Sequence, residues 1–437
     1  MSPKKTTKVV GFLPDDTPPA LKLIFFALQQ MVVMFPATVL VALLTGFHIS
    51  TTIFASGLAT IGFVLITKGR IPLYYGSSFS YIAAVVAITG VKQFGEIAPD
   101  IMISQAQCGI IASGLISIVA GFIINQFGRE KVEKVLPPSI TGSVAIVIGI
   151  TLAGTAMTGA ASNWAAGLVT LLATILFSVY LKGTLGQLPI LFGVLVGYAV
   201  SWGLGIIDFT KVSSAAIFTA PHFTFPVWSW GAIFAIMPIA IATIPESTAH
   251  LYQIDLYVNN LAKKLGSKKE YSIAGLLGVN LVGDGVADII AGSIGGPAGT
   301  NYGENNSVMA ITKNFSVPVI MLAAVFAIVL SFFGKLAGAV NTVPGAVIGG
   351  VSIYLFGVIG VQGVALMISE KVDLFSAKNL AVVSTILVIG VGGSFGFPNG
   401  MIPFFGAQLP AIATAAVFGI LLNLVFLLFP AEPANAA

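Results

Sequence analysis

The chain has 437 residues, of which 57% are apolar and only 8% are Asp, Glu, Lys or Arg, and its formal charge is +4. Soluble domains carry about 25% charged residues, so this composition excludes an ordinary soluble protein, and basic residues scattered among loops exclude a nucleic-acid binder. The single cysteine, Cys108, lies in an apolar run and excludes a disulfide framework within the chain or a thiol metal cluster.

Apolar segments fall, in chain order, near 21–46, 51–67, 79–91, 101–125, 138–158, 163–181 and 186–207. After a polar and aromatic connection containing His222 they resume near 228–254, 272–294, 304–312, 315–334, 343–367, 379–397 and 404–429. A bilayer-spanning helix needs about 20 apolar residues, and most of these runs approach that length. Residues 1–20 are polar and lead directly into the first segment, with no pattern of a cleavable signal peptide. The fold class is therefore an all-α polytopic membrane protein with 14 transmembrane segments.

Loop charge supports the count. With the N-terminus cytoplasmic and fourteen crossings, the C-terminus is cytoplasmic too. The cytoplasmic side then carries Lys4, Lys5, Lys8, Lys22, Lys68, Arg70, Arg129, Lys131, Lys134, Lys182, Lys263, Lys264, Lys268, Lys269, Lys313, Lys371 and Lys378. The opposite side keeps only Lys92, Lys211 and Lys335. This is a strong positive-inside bias, and one miscounted span would scramble it.

Residues 76–89 align with 299–312 at a shift of 223, close to half the chain. Gly76 lies over Gly299, Phe79 over Tyr302, Val85 over Val308 and Thr89 over Thr312. Seven segments per repeat is an odd number, so the two copies have opposite orientation. The aligned segments are also the shortest. Thirteen residues make a helix of about 20 Å, too short for a hydrocarbon core of about 30 Å. Paired short, glycine-flanked segments in inverted halves point to a transporter's binding site. The stretches 74–78 and 300–303 are predicted to be extended and to line a cavity, because lipid cannot satisfy their backbone. The half-helices that follow present N–H groups to a substrate.

Glu246, Asp284, Asp288 and Glu304 lie inside apolar segments, where an ionisable group is costly and faces a cavity or a partner. Glu246 and His250 are four residues apart and share a helix face, and Pro245 beside them predicts a local distortion. Asp284 reads as a cap or support residue rather than a substrate contact; no role emerges for Asp288. His48 and His222 read as solvated loop residues. No His, Cys and carboxylate cluster has the spacing of a metal site, so no metal and no cofactor are expected.

The strings Gln29–Val41, Lys68–Phe79 and Thr300–Asn305 resemble the nucleobase–ascorbate transporter family, and within it the uracil permease branch, over roughly residues 21–429. The family signature reads here Glu304-Asn305-Asn306-Ser307, then Thr312-Lys313, with Ser307 where a glycine is usual. The resemblance implies two inverted seven-segment repeats forming a core domain from 21–134 and 226–340 and a gate domain from 135–210 and 341–430. It implies substrate carboxylates at Glu246 and Glu304, backbone donors at Phe79 and Gly303, and Tyr302 beside the pocket. It implies proton coupling through His250 with Glu246, and support from Asn305, Ser78 and Gln29. It also implies a homodimer joined through the gate domain. Uracil suits such a site. Its ring N–H groups donate to carboxylates, its carbonyls accept from half-helix N–H groups, and Phe79 and Tyr302 offer flat apolar surface. The expected activity is proton-coupled uptake of uracil across the cell membrane, with a xanthine or uric acid permease as the alternative. An anion transporter would show a fixed cation in place of opposed carboxylates. An intramembrane enzyme would need a nucleophile and base that the sequence lacks.

Overall fold

The computed structural model describes residues 11–128, 134–404 and 407–429. Lys4, Lys5, Lys8, Arg129 and Lys131 of the loop-charge argument lie outside them. Besides two short helices, Thr210–Ser214 and, in the second half, Gly334–Val340, the first half holds α1 (Ala20–Thr45), α2 (Ile49–Ile66), α3 (Phe79–Thr89), α4 (Asp100–Phe127), α5 (Pro138–Ala161), α6 (Trp164–Tyr180) and α7 (Pro189–Gly203). The second half contributes α8 (Trp230–Leu265), α9 (Ala274–Ile294), α10 (Gly303–Thr312), α11 (Val317–Ser331), α12 (Gly345–Ser369), α13 (Ala377–Gly396) and α14 (Ala411–Leu428). Among the described residues, nine of these are long and apolar enough to cross a membrane. The remaining five, including both predicted half-helices, are shorter.

Two boundaries and the place of one distortion differ from the sequence reading. The helix expected over 228–254 runs on to Leu265, because Tyr257, Asn259 and Lys263 can continue a helix into water; it stops at Gly266, which takes a φ of 70°. Its irregular turn is the 3₁₀ segment Met237–Ile239 and not the predicted site at Pro245, which lies inside the α-helix Ala240–Leu265. Pro238 follows the α-helical turn Trp230–Ile236 and has no N–H to continue its ladder, which accounts for the irregular turn. The last segment does not begin at 404. Met401–Phe404 (β3) and Ala407–Pro410 (β4) form an antiparallel pair, and α14 starts after Pro410.

The two stretches predicted to be extended are strands β1 (Tyr75–Ser77) and β2 (Gly299–Asn301). They pair antiparallel with each other, so their backbone groups are satisfied across the repeat rather than left to a cavity. The register repeats the sequence shift. Gly76 pairs with Thr300 and Ser77 with Gly299; adding 223 to Gly76 and to Ser77 gives Gly299 and Thr300, so the repeat operation turns one pair into the other.

Around this centre α9 packs on α4 and α2, and α11 packs on α2 and α1. The α4–α9 crossing is close. A Cβ on Gly114 would lie 2.5 Å from the carbonyl oxygen of Gly285, and one on Gly285 would lie 2.3 Å from that of Gly114. In lipid, where burial between helices gives little driving force, such backbone approach supplies the packing. In the remaining helices α12 packs on α5 and α6, and α14 packs on α13 and α5.

The loops sort to two ends. Phe12 bridges to Asn314, and Asp15 meets Lys269 and accepts a 3.1 Å hydrogen bond from Tyr271, which gathers 12–16, 269–271 and 314 at one end. At the other end Lys335 donates to the carbonyls of Val212 and Ser213, and Lys211 donates to that of Asn341.

Candidate substrate site

Three pieces of chain meet beside the β1–β2 pair. α3 begins at Phe79, with Ser78 accepting from the Ser80 N–H at 3.3 Å as its N-cap. α10 begins at Gly303, with Glu304 in its first turn, where the helix dipole favours a carboxylate. α8 contributes Glu246 and His250 from one face. Phe79, Ser80, Glu246, His250, Gly303 and Glu304 are all partly exposed within otherwise buried surroundings. The Ser80 hydroxyl donates to Glu246 Oε2 at 3.4 Å, and Glu246 and Glu304 are close enough to repel one another electrostatically. A cleft of about 110 Å³ lies along the same helix, between Pro245, Thr248 and Ala249 of α8 and Thr141 of α5 and Leu366 of α12.

Gly303 has a specific neighbour. A Cβ there would stand 2.8 Å from His250 Nε2, so the imidazole occupies the space that glycine leaves. His250 Nδ1 is buried without a hydrogen-bond partner. α10 is tied back to α8 by Asn306, whose side-chain amide donates to the His250 carbonyl at 3.3 Å.

The other predicted residues take supporting places. Tyr302 is buried, its hydroxyl 2.8 Å from that of Thr38 and its ring against Gly76, where a Cβ would lie 2.1 Å from a ring carbon. It braces the strand pair and is almost wholly enclosed. Asn305 is buried and donates to the backbone and side-chain oxygens of Gln30, at 3.0 and 2.7 Å, rather than to its neighbour Gln29. Gln29 is partly buried with its side-chain oxygen unpartnered.

A polar layer beneath these residues was not legible from spacing. Ser247, adjacent to Glu246, donates to Asp284 and accepts from Asn280 at 2.7 Å and from Asn301 at 3.1 Å. Asp284 is buried in this network, the support position expected for it. Asp288, also buried, accepts from the Tyr75 hydroxyl and from the Gly299 N–H, the latter at 2.8 Å. It therefore fastens both strands to α9. Only the placement of a carboxylate inside an apolar run marked Asp284 and Asp288; Ser80, Ser247, Asn280 and Asn301 carry no such mark.

One grouping departs from the sequence reading. His48, Asp100 and His222 converge at the end of the molecule where α2 and α4 begin, although no local spacing announces it.

Comparison with known proteins follows the geometry. A permease family model matches residues 21–399. The uracil permease of Bacillus caldolyticus is 37% identical over 439 residues, covering 97% of this chain and 95% of the relative. That of Bacillus subtilis (strain 168) is 35% identical over 430 residues, covering 94% of each. Among solved structures the overall structure of SLC26A9 matches with a TM-score of 0.64 at 11% identity, covering 95% of this chain and 66% of that one; at that identity the likeness concerns the fold alone.

Proposed function

Since this chain belongs to the xanthine/uracil permease family, we propose that it is a secondary active transporter that takes up uracil across the cell membrane. The observation that carries the reading is the pair of carboxylates, Glu246 and Glu304, near enough to repel one another and both partly exposed where two half-helices start. Each carboxylate accepts one ring N–H. Charge-assisted bonds of that kind contribute about 1.5–3 kcal/mol each. The backbone N–H groups at Phe79 and Gly303 donate to the ring carbonyls, and Phe79 covers a ring face.

Uracil is neutral near pH 7, so its accumulation needs a coupled ion, and in this reading the ion is a proton. Two carboxylates compete for charge when they face each other away from bulk water, and the His250 imidazole sits one helical turn from Glu246. Protonation at that pair ties substrate binding to movement. The moving body is a core of α1–α4 and α8–α11 against a gate of α5–α7 and α12–α14. The cleft between α8 and helices α5 and α12 supports a boundary there. The same reading has all fourteen helical segments embedded in the membrane in two inverted repeats, both termini cytoplasmic, and two copies of the chain joined through the gate. Loops sorted to two ends support the sidedness.

Labelled uracil uptake into proteoliposomes, with unlabelled competitors, tests the substrate. Excess uracil should abolish uptake and excess xanthine should leave it largely intact. Equal competition by xanthine would widen the assignment to a general nucleobase carrier.

A further inference from the structure

Three side chains distant in sequence meet at one end of the molecule. His48 immediately precedes α2, Asp100 is the first residue of α4, and His222 lies in the connection between α7 and α8. His48 Nε2 stands 3.3 Å from one Asp100 carboxylate oxygen, and His222 Nε2 stands 2.8 Å from the other. The two imidazole centroids are 4.3 Å apart, and one donor atom from each of the three residues lies within 4.8 Å of the others. Both histidine backbones are anchored from α2. The Thr52 hydroxyl donates to the His48 carbonyl at 2.9 Å, and the Thr51 hydroxyl to that of His222 at 2.6 Å. The Asp100 and His222 side chains are more than half exposed and that of His48 is one-fifth exposed, so an ion can enter from solution.

We propose that His48, Asp100 and His222 form a binding site for a divalent transition-metal ion of the zinc class, held by the two Nε2 atoms and the carboxylate with water completing the shell. Two imidazoles and one carboxylate are a borderline donor set that suits zinc, and three protein ligands with an open position are a common zinc arrangement. With metal–ligand bonds of about 2.0–2.1 Å, neighbouring donors of a tetrahedral ion lie about 3.3 Å apart. His48 Nε2 already stands at that separation, 3.3 Å, from one carboxylate oxygen; His222 Nε2 is closer, 2.8 Å from the other, and rotation of the exposed His222 ring opens that edge and sets the one between the imidazoles. The ion would do mechanical work in the fold. It would pin the connection between the two repeats to the first turns of α2 and α4, so the covalent link between halves would be fixed to the core at this end. The simpler account of the cluster is two hydrogen bonds from histidines to a shared carboxylate, and it predicts no retained metal.

The chain contains only three histidines, His48, His222 and His250, which makes the test direct. Full-length protein, freed of any affinity tag, is dialysed in detergent with excess zinc, then against metal-free buffer, and its zinc is measured by elemental analysis. One zinc per chain is expected in the wild type and in His250→Ala, with none in His222→Ala or Asp100→Asn. The wild-type measurement stands even where a variant folds poorly, and melting curves without metal identify such a variant. A wild type that retains no zinc, or His222→Ala and Asp100→Asn that both retain it at the wild-type ratio, would overturn the proposal.

Discussion

In the proposed reading, Glu304 is the residue on which binding turns most directly. It stands in the first turn of α10, near enough to Glu246 to repel it, and on that reading its loss removes a charge-assisted acceptor for a ring N–H. Glu304→Ala should weaken uracil binding by roughly tenfold to over a hundredfold, with the protein still folded. Wild-type affinity in the purified variant would take Glu304 out of the site. Gly303 is tested by addition. Its missing side chain leaves room for the His250 ring, and a Cβ at 2.8 Å from Nε2 forces the ring or the helix start to shift. Gly303→Ala should therefore slow uptake, and Gly303→Val should slow it further. Uptake in both at the wild-type rate would show that the close approach has no bearing on transport. Glu246, Glu304 and His250 were visible in the sequence because a charge inside an apolar run is conspicuous. Ser80 and Ser247 were not, because a serine beside a glutamate is ordinary until the fold shows which oxygen it meets.

At the scale of elements, the short helices and their extended leads were legible from length alone, since a segment of thirteen residues cannot cross a bilayer as a helix. Their mutual pairing was not, because a three-residue strand has no pattern of its own. Asp288 and Tyr75 hold that pair to α9. Tyr75→Phe removes the hydroxyl that donates to Asp288 and leaves a buried carboxylate with fewer donors, which should cost about 1–3 kcal/mol. The expected result is a lower melting temperature in detergent, and an unchanged one would mean that the hydroxyl bond contributes nothing. The α4–α9 crossing gives a parallel test. Gly114→Val drives a branched side chain into the Gly285 backbone, and overpacking of this kind costs about 1–3 kcal/mol. Gly114→Val should melt earlier than the wild type, and equal melting would show that the helices can separate without loss.

Across the whole molecule, the proposed coupling ion would decide how the parts work together. Imposed gradients in proteoliposomes separate the options. Uptake should rise with an inward proton gradient and be indifferent to sodium, and His250→Ala should impair accumulation more than equilibrium binding. Uptake that follows a sodium gradient and ignores pH would sink the proton mechanism. A variant that loses binding and accumulation equally would place His250 in the pocket rather than in the relay.

Apolar runs, their lengths and the charge between them determined by themselves that this chain is a multi-span helical membrane protein built from two related halves. That information is local, because a bilayer reads each segment for its own hydropathy and each loop for its own charge. The repeat shift was likewise written in the order of residues. Tertiary structure alone decided which strand satisfies which, that the Tyr302 ring braces Gly76, and that Asp288 clasps the strand pair. It also decided that His48, Asp100 and His222 stand together. These contacts join residues dozens to hundreds of positions apart, and no periodicity in a chain encodes a distance of that kind until the helices have packed.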